Sequence, residues 1–297
     1  MRALRLLAPL PVFLLMVPLA ASEPQSTPMS FKTPDGFTIK GTLTMPITGP
    51  KRHPVVILAP QFHQTRDSFA PLAERLNARG IATLALDLRG QGESTDKGGT
   101  TVAVTDDFMA SAKAVGFDKI PGDLAQAAAW VKKQQGIDPR RVALAGSSVG
   151  GFSVLEAAGK IRPLAVLALS PAGSKAFGPK AMEEVVGSVT RSGAATLIFA
   201  ARDDDEAAKT AAAVKAAPGV SELLFDGKDH GDAFLKDHAE TMAVFFGEYL
   251  LHRQAFNRGG GQAGTSTSGV ITPATLAASP GAQGDQPPAP DPQPSGN

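Results

Sequence analysis

The sequence predicts one α/β domain in which a mainly parallel β-sheet is covered by helices on both faces. Short runs that are apolar at every position, such as residues 55–59 and 81–86, suit strands buried on both faces. Amphipathic helical patterns separate these runs, and strand and helix alternate along residues 29–256. Neither an internal repeat nor a second core interrupts this alternation, so we expect a single domain.

Local signals mark the elements in chain order. Asp35-Gly36 is typical of a hairpin turn, Gly80 and Gly136 end helical patterns, and Asp138-Pro139 makes a turn before a strand. The expected strands are residues 31–33, 38–45, 55–59, 81–86, 141–145, 164–169, 195–201 and 222–225. The expected helices are residues 68–79, 124–135, 149–158, 207–217 and 232–253. Residues 94–120 are rich in turn signals and could form a wall of a pocket. Residues 170–195 hold about one helix, which predicts a minimal lid and an open or shallow pocket.

Both ends of the chain differ from this body. Residues 1–22 contain Arg2 and Arg5, then an apolar run broken by prolines, then small residues. This order is typical of a secretory signal peptide, and the run is short for a membrane-spanning helix. Residues 258–297 are rich in Gly, Ser, Thr, Gln and Pro, which predicts a disordered tail. We therefore expect an exported protein, periplasmic or extracellular, with its folded domain at residues 23–257 and no integral membrane span after signal removal. A retained N-terminal anchor is the alternative.

The composition excludes several classes of site and partner. The 297 residues include no cysteine, so disulfides, thiolate metal sites and cysteine nucleophiles are excluded. Residues 1–22 hold two arginines and no acid, so their removal changes the formal net charge from +1 to −1. That balance does not predict binding to nucleic acid or to an anionic membrane. The acidic residues at 203–206 come from one short loop with no histidine close in sequence, so we expect no metal site. The sequence does not indicate an oligomeric state.

The stretch VALAGSSVGG, residues 142–151, carries the strongest chemical signal. Its Gly146-Ser147-Ser148-Val149-Gly150 matches G-x-S-x-G between a predicted strand and a predicted helix. In such a turn the central serine takes strained backbone angles, and the two glycines leave room for the neighbouring strand and helix. We expect the Ser148 hydroxyl to project above the sheet, with the Val149 N–H aimed at the same point. A glycine-rich turn with solvent-facing serines is the alternative.

With this turn in place, the chain resembles the α/β-hydrolase family over nearly all of its body. ILAPQFHQTRDSFAPLAERLNARGIATLALDLRGQGES is similar to the strand, helix and strand that precede the nucleophile in that family, and GSSVGG resembles its nucleophile elbow. The likeness is greatest to small dienelactone-hydrolase-like and acyl-esterase members. Classical dienelactone hydrolases use a cysteine nucleophile, which this chain lacks. The resemblance implies an α/β-hydrolase fold with Ser148 as the nucleophile.

The resemblance also implies a base that follows the last strand. A serine hydroxyl is a poor nucleophile until a base takes its proton, and a third group must orient that base. The family order is Ser, then Asp or Glu, then His. His230, in the loop before the closing helix, is the expected base. His238 is the rival, but it falls inside the helical pattern of residues 232–253.

The third triad member is expected after the strand at residues 195–201. Family members often carry Gly-x-x-Asp at this point, and aligning Ala201 with that glycine selects Asp204. Because the register could differ by one residue, Asp203 and Asp205 are the alternatives.

The loop after the strand at residues 55–59 departs from the family pattern. Many members carry His-Gly where this chain has Pro60-Gln61, followed by Phe62-His63. Proline has no N–H, so the second oxyanion donor would be the N–H of Gln61 or Phe62, and we favour Phe62 beside Val149. The loop could be rearranged but competent, could suit an unusual substrate, or could mark a weak catalyst. Gln61 and His63 are possible pocket residues, and a partly exposed loop histidine is the alternative for His63.

These observations predict an exported serine hydrolase that acts on a carboxylic ester or similar small acyl substrate. The triad Ser148, His230 and Asp204 would act through an acyl-enzyme and would need no cofactor or metal. One alternative is a peptidase or amidase related to the prolyl-oligopeptidase-like branch. Another is a non-catalytic binding protein with the α/β-hydrolase fold, in which the altered Pro60-Gln61 loop would be the sign of lost catalysis.

Overall fold

The computed structural model describes residues 24–251. The predicted signal peptide at residues 1–22 and the predicted tail at 258–297 lie outside the described residues, as do the limits of the predicted domain at 23 and 257.

An eight-stranded sheet forms the centre of the structure. Its strands are β1 (Gln25–Lys32), β2 (Thr38–Met45), β3 (His53–Ala59), β4 (Ala82–Leu86), β7 (Ile137–Ser147), β8 (Ala165–Leu169), β9 (Ala195–Ala201) and β10 (Val220–Phe225); β5 (Asp96–Lys97) and β6 (Thr100–Thr101) form a separate short hairpin. The order in the large sheet is β1-β2-β4-β3-β7-β8-β9-β10. β1 pairs antiparallel with β2 and β2 with β4, whereas all other neighbours are parallel. The predicted mainly parallel sheet with an antiparallel edge is confirmed.

Helices cover both faces of this sheet. They are α1 (Ala70–Ala78), α2 (Phe108–Val115), α3 (Ile120–Val131), α4 (Val149–Ile161), α5 (Ala181–Ser192), α6 (Asp205–Val214) and α7 (Ala233–Leu251). Within β3, Val55 and Ile57 pack in the layer that contains α3, α4 and α5, and Val56 and Leu58 pack in the layer of α1 and α7. Successive side chains of a strand point to opposite faces, so a strand that is apolar throughout needs cover on both.

One helix lies earlier in the chain than the sequence pattern predicts. The helix expected at residues 124–135 runs from Ile120 to Val131. Pro121 fits its first turn, where a missing N–H costs nothing. After Val131 the backbone closes into tighter turns, in which the Lys133 N–H donates to the Trp130 carbonyl at 3.1 Å. The polar residues 132–135, which the sequence pattern assigned to the end of this helix, lie in these turns.

The turn-rich stretch at residues 94–120 contains a helix that the sequence pattern did not predict. α2 begins after Asp107, whose carboxylate accepts the Ala110 N–H at 2.9 Å, and it ends at Gly116, which has a left-handed φ of 76°. Both capping signals stand in the sequence, but only eight residues separate them, too few for a clear helical period.

The segment between β8 and β9 contributes to the core and not to a lid. Its helix α5 packs on α4, and Val185 and Val189 are buried there. The minimal lid expected from the short segment at residues 170–195 is confirmed.

Candidate active site

The turn between β7 and α4 has the strained geometry expected of a nucleophile elbow. Ser148 has φ 51° and ψ −116°, outside the helical and extended regions. A Cβ on Gly146 would lie 2.3 Å from the Gly150 carbonyl oxygen, and one on Gly150 would lie 2.2 Å from the Ala59 carbonyl oxygen. Only glycine fits at either position, because both contacts are with backbone atoms that cannot move aside.

Other strained residues share this edge of the sheet. His63, after β3, has φ 63°, and Ser170, after β8, has φ 41°. Together with Ser148 they follow the carboxyl ends of three adjacent strands. Backbone strain of this kind costs on the order of 1–3 kcal/mol per residue and persists where the surroundings hold it in place. The carboxyl edge of β3, β7 and β8 is therefore the candidate site.

Three separated segments bring a serine, a histidine and an aspartate together there. Ser148 Oγ lies 2.8 Å from His230 Nε2, and His230 Nδ1 lies 2.6 Å from Asp204 Oδ2. Ser148 follows β7, Asp204 caps α6 after β9, and His230 lies on the loop between β10 and α7. With the Nδ1 proton donated to Asp204, Nε2 can accept the Ser148 proton. The Asp204 side chain is 12% exposed and that of His230 is 40% exposed, so the imidazole can meet a substrate.

The neighbouring acids occupy different places. Asp203 donates its backbone N–H to the Gly227 carbonyl at 3.0 Å, and Asp205 begins α6. Within α6, Glu206 accepts the backbone N–H groups of Gly173 and Ser174, both at 2.9 Å. This contact fixes the loop after β8, and only Asp204 contacts His230.

The other histidines do not join this group. His238 lies in α7 among aromatic rings, 4.7 Å from the centre of the Phe225 ring, and burial lowers its pKa. His53 Nδ1 lies 3.0 Å from the Gly80 carbonyl oxygen, at the start of β3. His63 is exposed beside the site, with its ring 4.0 Å from that of Phe62 and Nε2 3.8 Å from Asp106.

The loop after β3 lies directly against the start of α4. The Ala59 and Pro60 carbonyls contact Gly150, which brings the following residues beside the elbow. Within residues 24–251, neither the Phe62 N–H nor the Val149 N–H donates to another protein group. The described part of the chain thus engages neither of the two expected donors. Gln91 also holds the loop after β3, because its Oε1 accepts the His63 N–H at 2.5 Å.

Gln61 makes contacts that sequence reasoning did not anticipate. Its Oε1 accepts the Ser147 hydroxyl at 3.0 Å and the Asp232 N–H at 3.1 Å. The side chain therefore links the nucleophile turn to the loop that carries His230. No sequence signal identifies such a link, because the three residues are far apart in the chain.

Aromatic rings pack together next to the site. The Phe62 ring lies 5.3 Å from that of Phe108 in α2, with an edge-to-face angle of 86°, and Phe117 lies beside both. A Cβ on Gly173 would lie 2.9 Å from the tip of the Phe108 ring, so this ring reaches the loop after β8. Residues 94–120 thus pack against the loop after β3 and reach the loop after β8, and their role as a pocket wall stays a prediction.

Residues 24–251 also lack two further kinds of feature. This part of the chain contains no group of three or more histidine and carboxylate side chains placed to hold a metal ion. It also contains no helix of the length and apolar character needed to cross a membrane.

Comparison with known proteins assigns the family. The family model described as serine aminopeptidase, S33, matches residues 50–200, about half of the chain. The chain belongs to this family. The range matched to the serine aminopeptidase S33 family includes Ser148 and stops before Asp204 and His230.

Several solved structures with the same fold are hydrolases or esterases. Dienelactone hydrolase from Anabaena variabilis has 19% identity, with a TM-score of 0.57 over 78% of this chain and 99% of that one. Est1E from Butyrivibrio proteoclasticus, solved with ferulic acid, has 20% identity, with a TM-score of 0.58 over 76% and 99%. A 2,6-dihydroxy-pseudo-oxynicotine hydrolase has 16% identity, with a TM-score of 0.59 over 77% and 69%. The predicted α/β-hydrolase fold is confirmed, and the chain is a hydrolase-family protein.

A curated relative in Escherichia coli is an uncharacterized 31.7 kDa protein in the traX-finO intergenic region. It is 32% identical over 110 residues, which are 36% of this chain and 33% of the relative. This chain thus matches about a third of that relative's length.

Proposed function

We propose that this protein is a serine hydrolase that cleaves a carboxylic ester or similar small acyl substrate through an acyl-enzyme. The observation that carries the proposal is the continuous line of hydrogen bonds from Asp204 through His230 to Ser148. A strained, partly buried serine in that line is suited to nucleophilic attack, whereas a structural serine would not need the strain.

The first half of the reaction forms the acyl-enzyme. Ser148 Oγ attacks the carbonyl carbon while His230 Nε2 takes the hydroxyl proton. Asp204 stabilises the resulting imidazolium and holds its tautomer. The N–H groups of Phe62 and Val149 donate to the developing oxyanion. The carbon–oxygen bond to the leaving alcohol then breaks, and His230 returns the proton to that oxygen.

The second half releases the acid. Water attacks the acyl carbon, with His230 again accepting the proton, and the bond to Ser148 Oγ breaks as that oxygen regains it. The protein is left unchanged, and every step uses side chains and backbone N–H groups of the chain itself.

The family assignment favours one other substrate class. Serine aminopeptidases cleave amides next to a free amino group, and the same triad chemistry serves esters and amides. An ester panel and an aminoacyl-anilide panel, run side by side, distinguish the two. We also propose that the chain is exported, on the basis of residues 1–22.

The test is labelling with a fluorophosphonate probe, followed by peptide mass spectrometry. We expect rapid labelling at Ser148 and its loss in heat-denatured protein, in Ser148→Ala and in His230→Ala. His53→Gln is the matched histidine control and should label like the wild type. On any ester of the panel that the wild type hydrolyses, Ser148→Ala should lower kcat by more than about 10⁴-fold. Folded wild-type protein that does not label would instead favour a binding protein with the same fold.

A further inference from the structure

The base of the proposed triad lies on a loop with few anchors of its own. Residues 226–230, between β10 and α7, are all exposed, and burial begins only at Gly231. Besides the hydrogen bonds of the imidazole to Ser148 and Asp204, the position of His230 depends on how the next two residues are held. They are held by Gln61.

The contact with Gln61 is close as well as hydrogen-bonded. Gln61 Oε1 accepts the Asp232 N–H at 3.1 Å. Gly231 has φ 58°, and a Cβ on it would lie 2.0 Å from the same oxygen and 2.6 Å from Ser147 Oγ. The loop backbone thus rests directly on the Gln61 amide and on the Ser147 hydroxyl. No side chain fits between them.

The second hydrogen bond ties this amide to the nucleophile turn. The Ser147 hydroxyl has one proton and donates it to Gln61 Oε1 at 3.0 Å. Ser147 directly precedes Ser148, just as Gly231 directly follows His230. One oxygen atom therefore bridges the two backbone segments that carry the nucleophile and the base.

The charge at this position is also constrained. Both carboxylate oxygens of Asp232 are buried, and within residues 24–251 neither accepts a well-formed hydrogen bond. Burial raises the pKa of Asp232, and the nearby hydroxyls of Ser147 and Ser68 oppose that rise. A second carboxylate at position 61 would add repulsion in this buried space. A neutral amide provides the acceptor without the charge.

We propose that Gln61 is a positioning residue that keeps the His230 loop in register with the nucleophile turn. Gln61 acts through its contacts with Ser147 and Asp232, whereas the side chains of the triad carry out the chemistry. The inference rests on the proposed function, and it gives a role to Gln61 in the Pro60-Gln61 pair, which stands where many family members carry His-Gly. The departure in this loop is thereby a support for the base and not a sign of a lost site.

The experiment compares Gln61→Leu, Ser147→Ala and the double variant with the wild type on a small p-nitrophenyl ester. Gln61→Leu removes the acceptor at similar size, and we expect kcat to fall by about 10- to 100-fold with KM nearly unchanged. The rate of fluorophosphonate labelling should fall in parallel. Gln64→Leu, an exposed glutamine in the same loop, is the matched control and should keep wild-type kcat.

The double variant shows whether the two side chains act together. Ser147→Ala leaves the Asp232 N–H bond intact, so we expect kcat to fall by about 2- to 10-fold, the effect of one neutral hydrogen bond. In the Gln61→Leu background the same change should have no further effect, because its partner is already gone. Losses that multiply would overturn the inference, since they would show independent roles.

The remaining outcomes separate the two proposals. Wild-type protein that labels at Ser148, together with Gln61→Leu that labels equally fast, overturns the positioning role and leaves the hydrolase proposal intact. Wild-type protein that does not label overturns the proposed function itself. If Gln61→Leu does not fold, Ser147→Ala decides the question, and wild-type kcat in that variant would refute the role of the link.

Discussion

Glu156 is a carboxylate whose protonation should control part of the stability of this protein. It lies in α4, and its Oε2 is buried without a hydrogen-bond partner among residues 24–251. Burial, with the nearby carboxylates of Glu184 and Asp118, raises the pKa of Glu156 from 4.5 to about 7. The side chain has no part in the proposed chemistry, so its effect on folding can be measured separately.

The direction of the effect follows from which state binds the proton more tightly. The folded state holds the proton up to about pH 7, whereas the unfolded chain releases it near 4.5. The stability that protonation contributes is present below 4.5 and is lost as pH rises through 7. At 1.36 kcal/mol per pKa unit the full loss would be about 3.4 kcal/mol. Because the side chain is partly exposed and water screens its charge, we expect about 1–2 kcal/mol.

Glu156→Gln removes the charge at nearly constant size. Urea unfolding, followed by the fluorescence of the single tryptophan, Trp130, should show the variant gaining about 1–2 kcal/mol relative to wild type at pH 8. At pH 5 the gain should shrink to less than about 0.5 kcal/mol. The difference between the two pH values carries the test, since any constant cost of the amide cancels.

Glu183→Gln, an exposed change in α5, is the control and should show the same effect at both pH values. A Glu156→Gln effect that does not change between pH 5 and pH 8 would refute the reasoning, because it would place the Glu156 pKa outside that interval in the folded protein.

Two further predictions concern the candidate site. Asp204→Asn should lower kcat by about 10³- to 10⁴-fold, because an amide can present an N–H to the imidazole and favour the wrong tautomer, whereas Asp203→Asn should stay within a few-fold of wild type. Steady-state kinetics check this, and a larger loss in Asp203→Asn would show that the acid is misassigned. Gly231→Ala should lower the free energy of unfolding by at least about 1–2 kcal/mol for its left-handed φ, with a further loss from the crowding against Gln61 and Ser147. Urea unfolding and ester turnover measure both effects, and an alanine variant with wild-type stability and kcat would contradict the close contact seen here.

The sequence by itself was enough for the fold class and for the turn that holds the serine. These depend on patterns that are local in the chain. Strands such as β3 are apolar at every position, and alternate side chains must be buried on opposite faces. Gly146 and Gly150, on either side of Ser148, likewise indicate a turn whose backbone leaves no room for side chains. Such signals need no knowledge of distant residues. They failed where an element is short, as in α2, and at the ends of elements, as in α3 and β1.

The tertiary structure alone decided which distant groups meet. Asp203, Asp204 and Asp205 are chemically alike and adjacent, and the choice among them depends on where α6 begins relative to the His230 loop. Gln61 stands far in the chain from both of its partners. Hydrogen bonds form only over about 3 Å, so they depend on the exact packing of separate segments and leave no periodic trace in the sequence.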